Sequence, residues 1–237
     1  MEPLRSLDKD VWVIDHPFKL GGVIELGTRT TIVRLSDGGL WLHSPGPLTP
    51  TIQAWLEQNG PLRAIIAPNL FHHMFLAETA AAFPDAKVYG PEGLGAKIGG
   101  PLGSGDRLRT LDPQATPWEG DLESLFIGGC PPLNEWVFLH ANSKTLVLTD
   151  LAFNFKSAES FITRLFLRLN GALGTFGPSR LARSAFMKDH GQLRTALESV
   201  LAWDFDRVVV AHGEVLEGDG RAAVRQGFDW LLRGLPQ

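Results

Sequence analysis

Arg63-Ala64-Ile65-Ile66-Ala67-Pro68-Asn69-Leu70-Phe71-His72-His73 runs from an apolar stretch into a polar end. The apolar part is too short for a helix and stops at Pro68. With helical patterns on both sides, it reads as a buried strand covered on both faces. Upstream, Ile52, Trp55 and Leu56 form a helical stripe, with Pro50 at the entrance and Asn59-Gly60 as the stop signal. They predict a helix from Thr49 or Pro50 to Gln58. Downstream, Phe75, Leu76, Thr79 and Ala80 predict a helix that starts near His72 or His73 and ends at Phe83, before Pro84-Asp85. The histidine pair is thereby placed just beyond a strand end.

Working outward, Val11–Ile14, Thr30–Leu35 and Leu40–His43 read as short strands, the last two joined by the hairpin signal Asp37-Gly38-Gly39. Lys87–Tyr89 is a further strand, and the Gly- and Pro-rich stretch from Gly90 to Gly120 reads mainly as connections. Strand patterns resume at Leu122–Ile127, then in a hairpin of Glu135–Leu139 and Thr145–Thr149 that delivers Asp150. A helix over Gly191–Ala202, a strand over Arg207–Ala211 that delivers His212-Gly213, and a closing helix over Ala222–Leu232 complete the pattern. Two groups of strands with helices before, between and after them predict an α/β fold with two central sheets and helices outside. The 237 residues, 44% hydrophobic, suit one domain over 1–237.

The formal charge of −4 gives no electrostatic reason to expect nucleic acid as partner. A lone cysteine, Cys130, excludes an intrachain disulfide framework and Cys-rich zinc modules and fits a reducing, cytoplasmic setting. Glu2, Arg5, Asp8, Lys9 and Asp10 break any apolar leader within Met1 to Asp10. The richest apolar stretch, Phe161 to Leu173, is interrupted by Arg164 and Arg168, so no transmembrane segment is expected.

His72-His73 follows an expected strand, and His43, Asp150 and His212 stand at the ends of theirs. Imidazole and carboxylate are the usual donors for zinc, iron or manganese, and strand ends far apart in sequence can meet at one edge of a layered fold. Each residue also has a plainer reading. The histidine pair would cap a helix or face solvent, Asp150 would begin a turn, and His212 would bond locally.

Gly39-Leu40-Trp41-Leu42-His43-Ser44-Pro45-Gly46, Pro68-Asn69-Leu70-Phe71-His72-His73, Thr145-Leu146-Val147-Leu148-Thr149-Asp150 and Val209-Val210-Ala211-His212-Gly213 occur in the order of the main motifs of the metallo-β-lactamase superfamily. The chain resembles that superfamily over nearly its whole length, and most closely an uncharacterised, domain-of-unknown-function branch of it. The resemblance implies a four-layer αβ/βα sandwich with a metal centre at one edge. The superfamily's His-x-His-x-Asp-His motif falls on Pro68, Leu70, His72 and His73, so its first two histidines are absent and its aspartate is His72. A further superfamily histidine falls near Cys130. The resemblance therefore implies one divalent ion, zinc favoured and iron or manganese as alternatives, held by His72, His73, Asp150 and His212.

The function implied is that of a hydrolase of a small ester, thioester, lactone or phosphoester that uses a metal-activated water. A catalytically weak ligand-binding or sensing relative, and a non-haem iron oxidoreductase, are the alternatives. His43 stands as an outer donor, an extra ligand or a structural histidine. Asn69 either fixes a loop or contacts substrate. His140 is a lesser ligand candidate, and Glu135 is either an outer acceptor or an exposed strand carboxylate. From about 155 to 188 the chain is basic and apolar, with six cations between Lys156 and Lys188 against Glu159. Ile162, Leu165, Phe166, Leu169 and Leu173 form a stripe there, apart from Arg164 and Arg168. It reads as a cap that offers apolar walls and the two arginines to an anionic or amphipathic small molecule, as a contact with an acidic membrane surface or a second subunit, or as an ordinary packed helix.

Overall fold

The computed structural model describes residues 4–114 and 116–233. The ends of the expected 1–237 domain, and Glu2 of the leader reading, lie outside the described residues. In chain order the elements are β1 (Leu4–Asp8), β2 (Val11–His16), β3 (Lys19–Leu20), β4 (Ile24–Glu25), β5 (Thr28–Arg34), β6 (Leu40–His43), α1 (Pro50–Asn59), β7 (Leu62–Ile66), α2 (Leu76–Ala82), β8 (Lys87–Gly90), α3 (Leu94–Ile98), α4 (Gly100–Ser104) and β9 (Leu108–Thr110). The second half contains β10 (Leu122–Phe126), β11 (Trp136–His140), β12 (Thr145–Val147), β13 (Phe153–Asn154), α5 (Phe161–Leu169), β14 (Phe176–Gly177), α6 (Arg180–Phe186), α7 (His190–Ala202), β15 (Arg207–Val209), α8 (Gly220–Gly227) and α9 (Asp229–Leu232).

Seven strands pair in the order β1-β2-β5-β6-β7-β8-β9, and four in the order β10-β11-β12-β15. Successive strand residues point to opposite faces, and this period of two makes the layers. On β6 and β7, Leu42 and Ile65 pack outward with Ile52 and Leu56 of α1 and Leu76 of α2. Their neighbours Trp41 and Ile66 point inward and meet Phe138 and Val147 of the second sheet. In that sheet Leu146 and Val208 face the far side, where Leu193, Leu197 and Val224 of α7 and α8 cover them. Helices, sheet, sheet and helices make the four-layer αβ/βα sandwich, and Ala64–Ala67 is apolar because both of its faces are covered, while Arg63 near the start of the strand is exposed and pairs with Asp37.

Several details differ from expectation for identifiable reasons. The helix after β7 begins at Leu76, because Asn69 Oδ1 accepts from the N–H groups of Phe71 and His72 and holds both histidines in a turn. The glycine-rich stretch after β8 contributes a sheet-edge strand, β9, parallel to β8. The closing helix is two short ones, interrupted at the buried Phe228. Within the basic segment, α5 buries Thr163 and Leu167 while Ile162, Leu165 and Leu169 are exposed, so most of the expected stripe faces out. Among the described residues, no helix is long and apolar enough to cross a membrane.

Candidate metal centre

β6 runs parallel to β7, and β12 to β15, so the C-terminal ends of each pair open on one edge. The segments following β7, β12 and β15 bring His72, Asp150 and His212 together. His72 Nε2 lies 3.3 Å from His212 Nε2 and 3.3 Å from Asp150 Oδ2, and His212 Nε2 lies 3.3 Å from Asp150 Oδ1. Among the described residues these three form the cluster with metal-binding spacing. Donors about 2.0–2.1 Å from a tetrahedral ion stand about 3.3–3.4 Å apart, which is the spacing of the two imidazole nitrogens, and each of these has one oxygen of the Asp150 carboxylate at the same distance.

The donor set fits a cation on chemical grounds as well. His212 Nδ1 donates to the carbonyl of Gly27 at 2.6 Å, which in a neutral ring leaves Nε2 as a bare lone pair facing a carboxylate oxygen and a second imidazole nitrogen. Ser44 Oγ lies 2.8 Å from His72 Nδ1 and turns its Nε2 to the same point. Ser44 holds that place with φ of +55°, a left-handed conformation that costs a non-glycine residue about 1 kcal/mol. Burial opposes the charge on Asp150, but where His72 and His212 carry protons towards it, their charge and hydrogen bonds outweigh burial and hold the carboxyl well below the usual carboxylate range; a bound cation would take the place of those protons.

Behind the cluster lies a polar network that sequence reasoning did not assemble. Glu135 is fully buried rather than exposed; its carboxylate accepts from the N–H groups of Thr149, Asp150 and Leu151 and from Asn69 Nδ2. Burial and neighbouring Asp150 push it up to about 7, while these donors favour the anion. The Asn69 amide also donates to Asp150 Oδ2 at 2.9 Å, bridging the two carboxylates. Asn69 is fully buried and its bonds go to protein groups, which leaves no surface for a substrate. The strand-end position of Glu135 was the available signal, and it does not reveal burial. Arg29, also overlooked, pairs with Asp15 and donates to the carbonyls of Val210 and Gly213, clamping the His212 turn to β5.

The other expected site residues lie elsewhere. His73, next to His72 in sequence, is half-buried outside the cluster; burial, and then Lys97, lowers its affinity for a proton. His43 is buried against Trp41 and Phe138, with Nε2 3.5 Å from Thr149 Oγ1; burial, and then His72, pushes it down to about 3. His140 bonds Ser143 at the other end of its hairpin strand. The thiol of Cys130 is buried and pushed up to about 12 by burial and Glu135, hence inert. Arg164 donates to the carbonyls of Ala158 and Glu159, and Arg168 is exposed on α5.

The cluster opens into a cavity of about 670 Å³. One wall comes from the segment between Phe155 and Phe186, including Phe166 and Leu167 of α5. The rest of the lining includes residues between Pro17 and Thr28, around the β3–β4 hairpin, and Phe71 and Phe75. Neither Arg164 nor Arg168 is among its lining residues. The backbone N–H of Glu25 donates to Thr163 Oγ1 and ties the hairpin to α5.

The fold is that of metallo-β-lactamases. The solved metallo-β-lactamase from Pontibacter korlensis is 14% identical, with 98% of this chain and 100% of that chain covered and a TM-score of 0.66. The enzyme from Hirschia baltica is 13% identical with 99% of each chain covered and a TM-score of 0.66. FIM-1 from Pseudomonas aeruginosa, in its mono-zinc form, is 12% identical, covers 98% of this chain and 93% of that one, and gives a TM-score of 0.63. Residues 8–170 match a family model described as domain of unknown function (DUF4336), and the chain belongs to that family. No curated protein matches it significantly.

Proposed function

We propose that the chain is a metal-dependent hydrolase of a small ester, thioester, lactone or phosphoester, with one divalent ion held by His72, Asp150 and His212. The observation that carries this reading is the convergence of His72 Nε2, His212 Nε2 and the two oxygens of Asp150, with each nitrogen 3.3 Å from the other and from one carboxylate oxygen, in the lining of a ligand-sized cavity. Two imidazoles and one carboxylate suit zinc first, with iron or manganese as alternatives. When bound, such an ion polarises a carbonyl or phosphoryl oxygen and acidifies water. The chain's own groups do the rest. The Asn69–Glu135 network fixes Asp150, Gly27 and Ser44 orient the imidazoles, and Phe18 and Phe153 flank His212 and exclude bulk water. A reducing, cytoplasmic setting accords with the free, buried Cys130.

A second reading has its own observation. His72 occupies the position of the superfamily's aspartate, and the ionisable residues that line the cavity are Lys19, His72, Asp150 and His212. With Asp150 in the cluster, no second carboxylate faces the cavity among the described residues to take a proton, which favours a ligand-binding relative with slow turnover. Metal analysis of protein purified without added metal, with hydrolysis assays before and after chelation, separates the readings. The expected result is close to one ion per chain and ester hydrolysis that chelation abolishes. Metal without hydrolysis favours the binding protein, and iron with a redox-active spectrum favours oxidoreductase chemistry. Absence of metal, with no rise in melting temperature on adding zinc, iron or manganese, overturns the metal readings.

A further inference from the structure

Seven of the chain's 14 phenylalanines line the cavity: Phe18, Phe71, Phe75, Phe153, Phe155, Phe166 and Phe186. Its polar lining is largely engaged elsewhere. Ser44 bonds His72, Asn170 Nδ2 donates to Phe166 O, Ser179 caps α6 at Ala182 N, and Lys19 pairs with Glu25 at 2.8 Å. A sugar or nucleotide entering this space would lose its hydration and find few partners, whereas a hydrocarbon would lose nothing. Leu20, Met74 and Leu181 line the cavity and are also exposed, so the apolar wall continues to the outside. We propose that the cavity is a hydrocarbon-chain site and that the ligand is an amphipathic acyl compound, with its polar linkage at His72, Asp150 and His212 and its chain among the phenylalanines.

The acyl bond as the point of reaction rests on the hydrolase reading, but binding of the chain does not, so the test reads binding alone. Saturated fatty acids of increasing length, titrated calorimetrically below their micelle concentrations, should bind up to about fourfold more tightly per added methylene until the cavity is filled. Ala182→Trp, which fills the wall, should weaken binding of the longer acids by about tenfold or more. Leu181→Asp, at a half-exposed wall position, serves if the tryptophan variant does not fold. Affinity independent of chain length, or unchanged in the folded variant, overturns the proposal. Chain-length dependence without hydrolysis of any acyl ester supports it and counts against the hydrolase reading alone.

A separate face supports a second inference. Phe161, Ile162, Leu165 and Leu169 of α5 are 47–73% exposed, and at 100° per residue they share an arc of about 100°. Arg168 borders that arc. The surrounding segment, Lys156 to Lys188, carries a net +5 in a chain of net −4. The geometry points to an anionic lipid surface as what covers this ridge: the apolar side chains enter the interface and Arg168, on the border of the arc, meets the headgroups. A two-fold dimer through the same face would set these basic segments against each other.

Sedimentation with phosphatidylcholine vesicles, with and without phosphatidylserine, tests this. Binding should require phosphatidylserine, fall about tenfold or more in Phe161→Asp/Leu165→Asp, and fall in Arg168→Glu. No binding to either vesicle, equal binding to both, or a concentration-dependent dimer in analytical ultracentrifugation that the double variant abolishes, overturns it.

Discussion

Around Asp150 the polar groups of the chain are bonded to one another, whereas some ten residues further on α5 turns Phe161, Ile162, Leu165 and Leu169 to the outside. The first region is rigid by construction: Asn69, Glu135 and three backbone N–H groups fix one carboxylate, and two oxygen atoms orient two imidazoles. The second is held by fewer ties, among them the Ser160 cap and the bond from Glu25 N to Thr163 Oγ1. A site that places donor atoms within tenths of an ångström needs a satisfied buried network, and a wall that admits apolar ligands needs shape and little else.

The largest expected effect separates His72 from its neighbour. His72→Ala, Asp150→Ala and His212→Ala should remove nearly all metal, while His73→Ala and His190→Ala should retain it, as measured by elemental analysis. Loss in His73→Ala would bring that residue back as a fourth ligand. Next, Asn69→Ala leaves two buried carboxylates without their shared donor and should cost about 2–3 kcal/mol in urea unfolding. A cost below about 1 kcal/mol would show that the network is dispensable. Gly213 has φ of +93°, and a Cβ there would lie 2.3 Å from Asn154 O, so Gly213→Ala should cost about 1–3 kcal/mol and loosen metal binding through the adjacent His212. Ser44→Ala should leave the fold intact and weaken metal affinity about tenfold, because it frees the His72 ring.

The smallest effect is a slope. Below its ordinary value of 6.5, His43 gains a proton in the unfolded chain that the folded chain refuses until about pH 3. Its contribution to stability is therefore intact above 6.5 and lost on acidification towards 3, by at most about 1.4 kcal/mol per pH unit. Glu135 acts with the opposite sign: its folded value is raised from 4.5 to about 7, so its contribution is lost as pH rises through that interval. The difference between the parent and His43→Phe removes the Glu135 contribution. Comparing urea unfolding at pH 7 and pH 5 should show the parent losing ground to the variant. A difference that does not change with pH would mean that His43 titrates normally in the fold.

Much of the layered fold was legible in the chain, because period and punctuation are local. The doubly apolar Ala64–Ala67, the Asp37-Gly38-Gly39 hairpin and the Pro50 and Asn59-Gly60 signals correspond to β7, the β5–β6 turn and the ends of α1. The strand ends that carry His72, Asp150 and His212 were legible for the same reason. Long-range side-chain choices were not. Neighbours in sequence, His72 and His73 part company because Asn69 fixes the turn before α2, and that turn aims one ring at Asp150. Glu135 carries no local sign of burial, since its charge is made tolerable by donors from Asn69 and from the Thr149–Leu151 backbone, both distant in the chain. The same holds for the outward face of α5: its periodicity predicted a stripe, but only the packing of Thr163 and Leu167 against the body decided which side remained uncovered. Sequence by itself thus determined the elements, their order and the donor types available. The tertiary structure decided which donors converge and which apolar face is left open, because both depend on contacts between segments far apart in the chain.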